Sequence, residues 1–178
     1  MIIKMATLTQ VHSFGCVMVV PEKNLTIQKM IDDIKDDELY IDSKDDSYGR
    51  QKPHVTALYG IKQKNIYPGL MKDMIEVANL KYFTVTKASC FYTDDYDVVK
   101  LEVEPEGCIM KFRKILEEHF PDFENTHGKY KPHLTLAYVK KGLGDKICKR
   151  VMPVEPIRLD IVKVDYSRQN GENVIYDS

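Results

Sequence analysis

Lys52-Pro53-His54-Val55-Thr56-Ala57-Leu58-Tyr59 recurs in the second half of the chain as Lys131-Pro132-His133-Leu134-Thr135-Leu136-Ala137-Tyr138. The copies align without a gap. Lys, Pro, His, Thr and Tyr are identical, and the remaining positions are all small or apolar. A single His-x-Thr is common by chance. Two extended copies at corresponding places in two halves of one chain point to a duplication and a pseudo-twofold arrangement.

Both copies read as strands, HVTALYG (54–60) and HLTLAYV (133–139). Side chains two apart on a strand share a face. His54 and Thr56 therefore face one way, as do His133 and Thr135. Val55, Ala57, Leu134 and Leu136 face the other way and are expected to pack on helices. Tyr59 and Tyr138 lie an odd number of residues from the histidines, so alternation sends them into the core. Each proline holds the lysine before it extended.

Working outward, SFGCVMVV (13–20) is a buried strand. NLTIQKMIDDIKD (24–36) has Ile27, Met30, Ile31 and Ile34 at helical spacing, with Thr26 as its cap. Residues 35–52 are polar and acidic and read as a loop. A helix is expected over 69–80, with its methionines as core packing. Strands are expected at 82–92 and 96–103, turned by Thr93-Asp94-Asp95. Next come a helix over 107–120 buried through Ile109, Phe112, Leu116 and Phe120, and a short helix near 143–151. A last hairpin, 155–165 with 172–176, is turned by Asn170-Gly171. Hairpin neighbours mixed with helices favour α+β with antiparallel sheet over a doubly wound fold. No linker or low-complexity segment interrupts the chain.

The chain has 178 residues, 43% hydrophobic and 30% charged, with a formal net charge of -1. That suits a soluble globular protein with no global pull toward DNA or membrane. No apolar run is long enough to span a bilayer, and MIIKMATLTQ does not read as a signal peptide. Cys16, Cys90, Cys108 and Cys148 lack paired C-x-x-C spacing, which argues against structural zinc and fits reduced thiols in a cytoplasm. Charge is polarised: 127–150 carries a net +6 and 31–48 a net -6. The basic stretch would draw a phosphate ligand to the second motif. The acidic stretch reads as solvated, and it lacks the glycine and terminal glutamate of an EF-hand.

If the two motif strands lie side by side, two imidazoles and two hydroxyls meet across one groove. In-line displacement at phosphorus needs a base on the nucleophile and an acid on the leaving oxygen. Histidine, with a pKa near ~6.5, serves as either. A threonine hydroxyl can donate to a non-bridging oxygen. No metal or other cofactor is called for. The candidate catalytic residues are His54, Thr56, His133 and Thr135; which histidine is the acid is open. His12, His119 and His127 have no partner motif and read as surface residues. Tyr130, just before the second motif, could stack on a base, but packing is the favoured reading. No further substrate-binding residue is singled out.

Paired His-x-Thr strands in a duplicated α+β chain resemble the two-histidine (2H) phosphoesterase superfamily of RNA ligase-like and cyclic phosphodiesterases, which act on 2′,3′-cyclic or 2′-5′ linkages. SYGRQKPHVTALYGI (47–61), YKPHLTLAYVKKG (130–142) and YDVVKLEVE (96–104) are most similar to phage-encoded members, some of them anti-CBASS nucleases that degrade cyclic oligonucleotide immune signals. The resemblance implies a bilobal fold over 1–178, one domain of two intertwined lobes. Two antiparallel sheets flanked by helices would form a pseudo-twofold groove between the His-x-Thr strands. It also implies catalytic roles for the four motif residues and a cytoplasmic phosphodiesterase, in the host cell if phage-encoded. The substrate would be a cyclic oligonucleotide or short RNA, with no membrane and no obligate protein partner. Two alternatives stay open: RNA end processing, and a nucleotide-binding sponge without turnover.

Overall fold

The computed structural model describes residues 14–63, 67–124, 128–168 and 173–177. The expected turn at Asn170-Gly171 and the histidines His12 and His127 lie outside the described residues. In chain order the elements are β1 (Gly15–Pro21), α1 (Leu25–Asp32), β2 (Val55–Ile61), α2 (Pro68–Ala78), β3 (Tyr82–Tyr92) and β4 (Tyr96–Val103). They continue with α3 (Cys108–His119), β5 (His133–Lys140), α4 (Gly144–Arg150), β6 (Ile157–Ser167) and β7 (Asn173–Asp177).

Every pairing is antiparallel, in the order β1-β2-β5-β4-β3-β6-β7 with β1 also on β6. The α+β expectation is met, and the two expected sheets are hydrogen-bonded into one. One half is β2-β1-β6-β7 and the other β5-β4-β3-β6. They meet at two places. The inner strands touch through the single pair Val55 and Leu134. On the outside, the eleven residues of β6 serve both halves: 157–160 pair with β3, and 161–167 with β1.

One face of this sheet is dry. Val17, Val19, Val55, Leu101 and Leu134 on that face are all fully buried. α3 packs on β2, α2 on α3, α4 on β3 and β4, and α1 on β5. The expected helical stripes supply the packing: Ile27, Met30, Ile31 and Ile34 before β2, and Ile109, Phe112, Leu116 and Phe120 in and after α3 are buried. Each such side chain contributes roughly 1.5–3 kcal/mol by leaving water. No described helix is long and apolar enough to cross a membrane.

Asn24, not Thr26, caps α1. Its side-chain oxygen accepts from Thr26 N at 3.0 Å and Ile27 N at 3.2 Å. A cap must be extended and sit two or three residues before the amides it receives; Asn24 does both, while Thr26 is already helical.

Most acids of the 31–48 stretch are exposed, as expected, but Glu38 is buried and part of the segment docks on the sheet. Beyond Leu134 the edge of β5 is free of β2, and residues 39–51 run along it. Tyr40 N donates to Tyr138 O at 3.0 Å, Tyr138 N to Gly49 O at 2.9 Å, and Gln51 N to Leu136 O at 2.9 Å. Glu38 is buried against Arg150, which donates to its Oε1 at 3.0 Å. Lys140 Nζ donates to Asp37 O at 2.7 Å. Glu38 with Arg150 is thus the ion pair that ties the acidic stretch to the basic one at this sheet edge.

Candidate active site

The two motifs have one local design. Proline keeps Lys52 and Lys131 extended, so each lysine carbonyl faces the histidine two residues on. His54 Nδ1 lies 2.8 Å from Lys52 O, and His133 Nδ1 lies 2.8 Å from Lys131 O. A carbonyl only accepts, so Nδ1 carries the hydrogen in both rings and Nε2 is the atom that gains or loses a proton.

The Val55–Leu134 pair is antiparallel. Its register sets His54 across from Thr135, and Thr56 across from His133. Val55 and Leu134 point into the core, so the four motif side chains share the opposite, half-exposed face. The Thr56 hydroxyl is hydrogen-bonded to the thiol of Cys16, and burial pushes that thiol up to about 12.

Strand alternation fails beyond the threonines, in the same way in both copies. The β1 ladder goes from Val17–Leu58 to Met18–Thr56, leaving Ala57 as an extra residue. The β4 ladder goes from Val99–Ala137 to Lys100–Thr135, leaving Leu136 extra. Each is a β-bulge at the third residue after the histidine, and a bulge reverses the facing of the strand residues beyond it. Leu58 and Ala137 are buried beside the bulged residues, whereas Tyr59 is 48% exposed and Tyr138 is half-buried. Both tyrosines therefore turn to the histidine face, against the sequence expectation. The bulged carbonyls find partners by different routes. Arg113 Nη1 donates to Ala57 O at 2.9 Å, and Gln51 N donates to Leu136 O at 2.9 Å.

Arg113 is buried, bonds Glu117 Oε1 at 2.5 Å and lies over the rings of Phe123 and Tyr130 at 5.1 and 4.7 Å. Tyr130, where packing is favoured over base stacking, donates its hydroxyl to Thr56 O at 2.8 Å. The residue before the second motif thus braces the backbone of the first. Gly60 adopts φ 86°, and a Cβ there would sit 2.7 Å from Glu124 N. Only glycine lets the segment carrying Glu124 close against the end of β2.

On the other side, β4 sets Lys100 across from Thr135 and Glu102 across from His133. Lys100 is only 4% exposed. Its ammonium donates to Ser89 Oγ at 2.6 Å, lies 4.3 Å from the centre of the Phe91 ring, and is 3.9 Å from Glu102 Oε1. Burial lowers its pKa. The Phe91 ring in turn meets the His133 ring edge-on at 5.0 Å and 89°. Sequence reasoning missed these residues. Their one signal is weak, a lysine flanked by Val99 and Leu101 in a strand that also carries Asp97 and Glu102.

A groove of about 640 Å³ runs over this face, lined by Thr56 and His133 but not by His54 or Thr135. Lys129 and Lys131 line it, whereas Lys140, Lys141 and Arg150 turn away to Asp37 O, Asp94 O and Glu38. Only part of the basic stretch therefore faces a ligand. Among the described residues no three His, Cys, Asp or Glu side chains cluster as a metal would require. His119 is exposed, its Nδ1 2.8 Å from Ile115 O, as expected of a surface residue.

No curated protein matches the chain in sequence. Among solved structures, Usb1 of Kluyveromyces marxianus superposes with a TM-score of 0.57 at 6% identity, over 94% of this chain and 99% of that one. The same protein with uridine monophosphate gives 0.55 at 5% identity, over 93% and 99%. E. coli LigT gives 0.46 at 10% identity, over 93% and 95%. The likeness to Usb1 is one of fold. The family model of the 2′-5′ RNA ligase superfamily matches residues 21–173, from the end of β1 to the start of β7 and across both motifs. The chain belongs to that superfamily and is a phosphoesterase of the two-histidine class.

Proposed function

We propose that the protein is a metal-independent phosphodiesterase that hydrolyses cyclic or short oligonucleotides, with cyclic di- and trinucleotide immune signals as its substrates. His54 and His133 are its acid and base. Thr56 and Thr135 donate to the non-bridging oxygens. The observation that carries this reading is the matched pair of 2.8 Å bonds from the histidine Nδ1 atoms to lysine carbonyls, which makes Nε2 the proton-exchanging atom of both rings. Two imidazoles related by a pseudo-twofold approach a phosphate from opposite sides, as in-line displacement demands.

In the reaction a neutral Nε2 takes the proton of the attacking water as its oxygen bonds to phosphorus. The protonated Nε2 of the other histidine gives its proton to the leaving oxygen as that P–O bond breaks. The ring that began neutral ends protonated and the other ends neutral, so exchange with solvent resets the pair. Each threonine hydroxyl strengthens its hydrogen bond as charge builds on the equatorial oxygens.

The whole chain, 1–178, works as one domain of two lobes in a cytoplasm, where its cysteines remain thiols. A second reading, opening of 2′,3′-cyclic phosphates or cleavage of 2′-5′ bonds in RNA, is favoured by the name of the superfamily that matches. The uridine monophosphate held by the Usb1 neighbour fits either reading.

The test is incubation, in chelator, with cyclic di- and trinucleotides, 2′-5′ oligoadenylates and 2′,3′-cyclic mononucleotides, with products identified by mass spectrometry. Linear products from the cyclic dinucleotides or trinucleotides, absent with the His54→Ala/His133→Ala variant, are expected. Turnover confined to the other two substrate classes selects the second reading. Retention of unaltered ligand would make the protein a sponge, and equal activity in the double variant would overturn the assignment of the histidines.

A further inference from the structure

We propose that Tyr59 and Tyr138 are a pair of nucleobase platforms, one at each end of the groove, so that the preferred substrate carries a base on both sides of the scissile phosphate. This rests on the proposed phosphodiesterase reading and narrows it. The substrate class becomes a dinucleotide unit, cyclic or linear, in preference to a cyclic mononucleotide.

The argument starts at the repeated bulge. Without Ala57 and Leu136 as extra residues, both tyrosines would lie in the core. With them, each motif becomes a strand that shows His, Thr and Tyr on one face. β2 and β5 are antiparallel through Val55 and Leu134, so the tyrosines, each five residues after its histidine, lie toward opposite ends of the face. Both line the same groove as Thr56 and His133. Its volume, about 640 Å³, falls in the roughly 300–1,000 Å³ range of pockets that enclose ligands larger than a single ring.

The two rings differ in surroundings: Tyr59 is open, and Tyr138 is half-buried in a cluster with Tyr40, Tyr48 and Tyr96 while still lining the groove. Tyr59 is 48% exposed, with Phe14 edge-on at 6.2 Å. Tyr138 makes T-shaped contacts with Tyr48 at 5.2 Å and 88°, and with Tyr96 at 5.4 Å and 74°. Such aromatic contacts steady a ring on which a base can stack. The Tyr138 end is therefore the more rigid site and the Tyr59 end the more open one. Tyr138 also donates its backbone N–H to Gly49 O, so the segment before the first motif fixes the platform of the second.

The experiment compares three ligands: a dinucleoside phosphodiester, the methyl phosphodiester of a single nucleoside, and a cyclic dinucleotide. Each is tested with wild type, Tyr59→Ala, Tyr138→Ala and the corresponding Trp variants. Every variant is first shown to melt within a few degrees of wild type. For two-base ligands each Ala variant is expected to raise KM about 5- to 100-fold with kcat nearly unchanged, and Trp is expected to restore it. For the one-base methyl ester, only one of the two substitutions should matter.

Equal sensitivity of the one-base and two-base ligands to both substitutions would overturn the proposal, as would insensitivity of the two-base ligands to either. Calorimetric binding of the same ligands to the His54→Ala/His133→Ala variant, with and without each tyrosine, gives the same comparison without turnover. An inactive wild type would then refute the reaction while the binding data still decide the platforms.

Discussion

Lys100→Met is the sharpest probe of the electrostatics beside the second motif. Methionine keeps most of the stem and removes the ammonium. Two effects on stability oppose each other. The variant loses a charged hydrogen bond to Ser89 and a cation–π contact with Phe91, together roughly 2–4 kcal/mol. It also escapes the desolvation of a buried ammonium, a penalty of several kcal/mol. The net change is expected within about 1 kcal/mol, read as a urea midpoint close to wild type. Activity has no such offset. Lys100 and Thr135 are ladder neighbours on one face, which puts the charge roughly 7 Å from a phosphate held by Thr135. At an effective dielectric constant of about 20, the extra negative charge of the transition state is worth ~2.4 kcal/mol to that cation. An open groove reduces this by up to about half. The expected loss in kcat is therefore about 7- to 50-fold, in a protein as stable as wild type. Steady-state kinetics on a dinucleotide at neutral pH, beside urea unfolding, reads both quantities. A kcat within twofold of wild type would refute the argument. So would a loss that simply tracks unfolding.

Two further predictions concern the frame around the site. The Arg150 guanidinium holds the Glu38 carboxyl down at about 2. A carboxyl lowered on folding stabilises above its ordinary value near 4.5 and loses that contribution as pH falls toward 2. Melting temperature should thus fall through this window, and Glu38→Gln should flatten the acid limb while lowering the plateau at neutral pH. Tyr130→Phe leaves Thr56 O without its 2.8 Å donor. It should lower stability by about 1–2 kcal/mol in calorimetry and reduce kcat more than it raises KM, because the ring remains and the first motif loosens. A KM effect alone would instead make Tyr130 a ligand contact.

The centre of the site is legible in the sequence because it is written twice. Lys-Pro-His-x-Thr sets its own local geometry: proline fixes the lysine carbonyl, and period-two alternation puts His and Thr on one face. The helical stripes are equally readable, since Ile27, Met30 and Ile31 or Ile109, Phe112 and Leu116 need only periodicity. What escapes depends on partners distant in sequence. The bulges at Ala57 and Leu136 exist only as a slip against β1 and β4, so alternation misplaces Tyr59 and Tyr138. The burial of Glu38 and the docking of 39–51 escape because Arg150 and the free edge of β5, which receive them, are far along the chain. Thr26 competes with Asn24 as a cap because both residue types cap helices and only backbone conformation separates them. Arg113 and Lys100 lie in an amphipathic helix and in a strand that also carries Asp97 and Glu102, where a basic residue gives little sign that it is turned inward.

The two-sided pairing of β6 has a mechanical consequence. A cleft between halves joined by a single connector can swing shut on its ligand, but here the halves are clasped at the Val55–Leu134 contact and again along one shared strand. Opening the cleft about the first clasp would shear hydrogen bonds at the second. Large-amplitude closure is thereby suppressed, leaving ring rotations and the segments that border the groove as the compliant parts. Such a cleft selects as a mould does: a ligand already bent to its contour enters with little reorganisation of the protein, and one that is straight must do the bending itself.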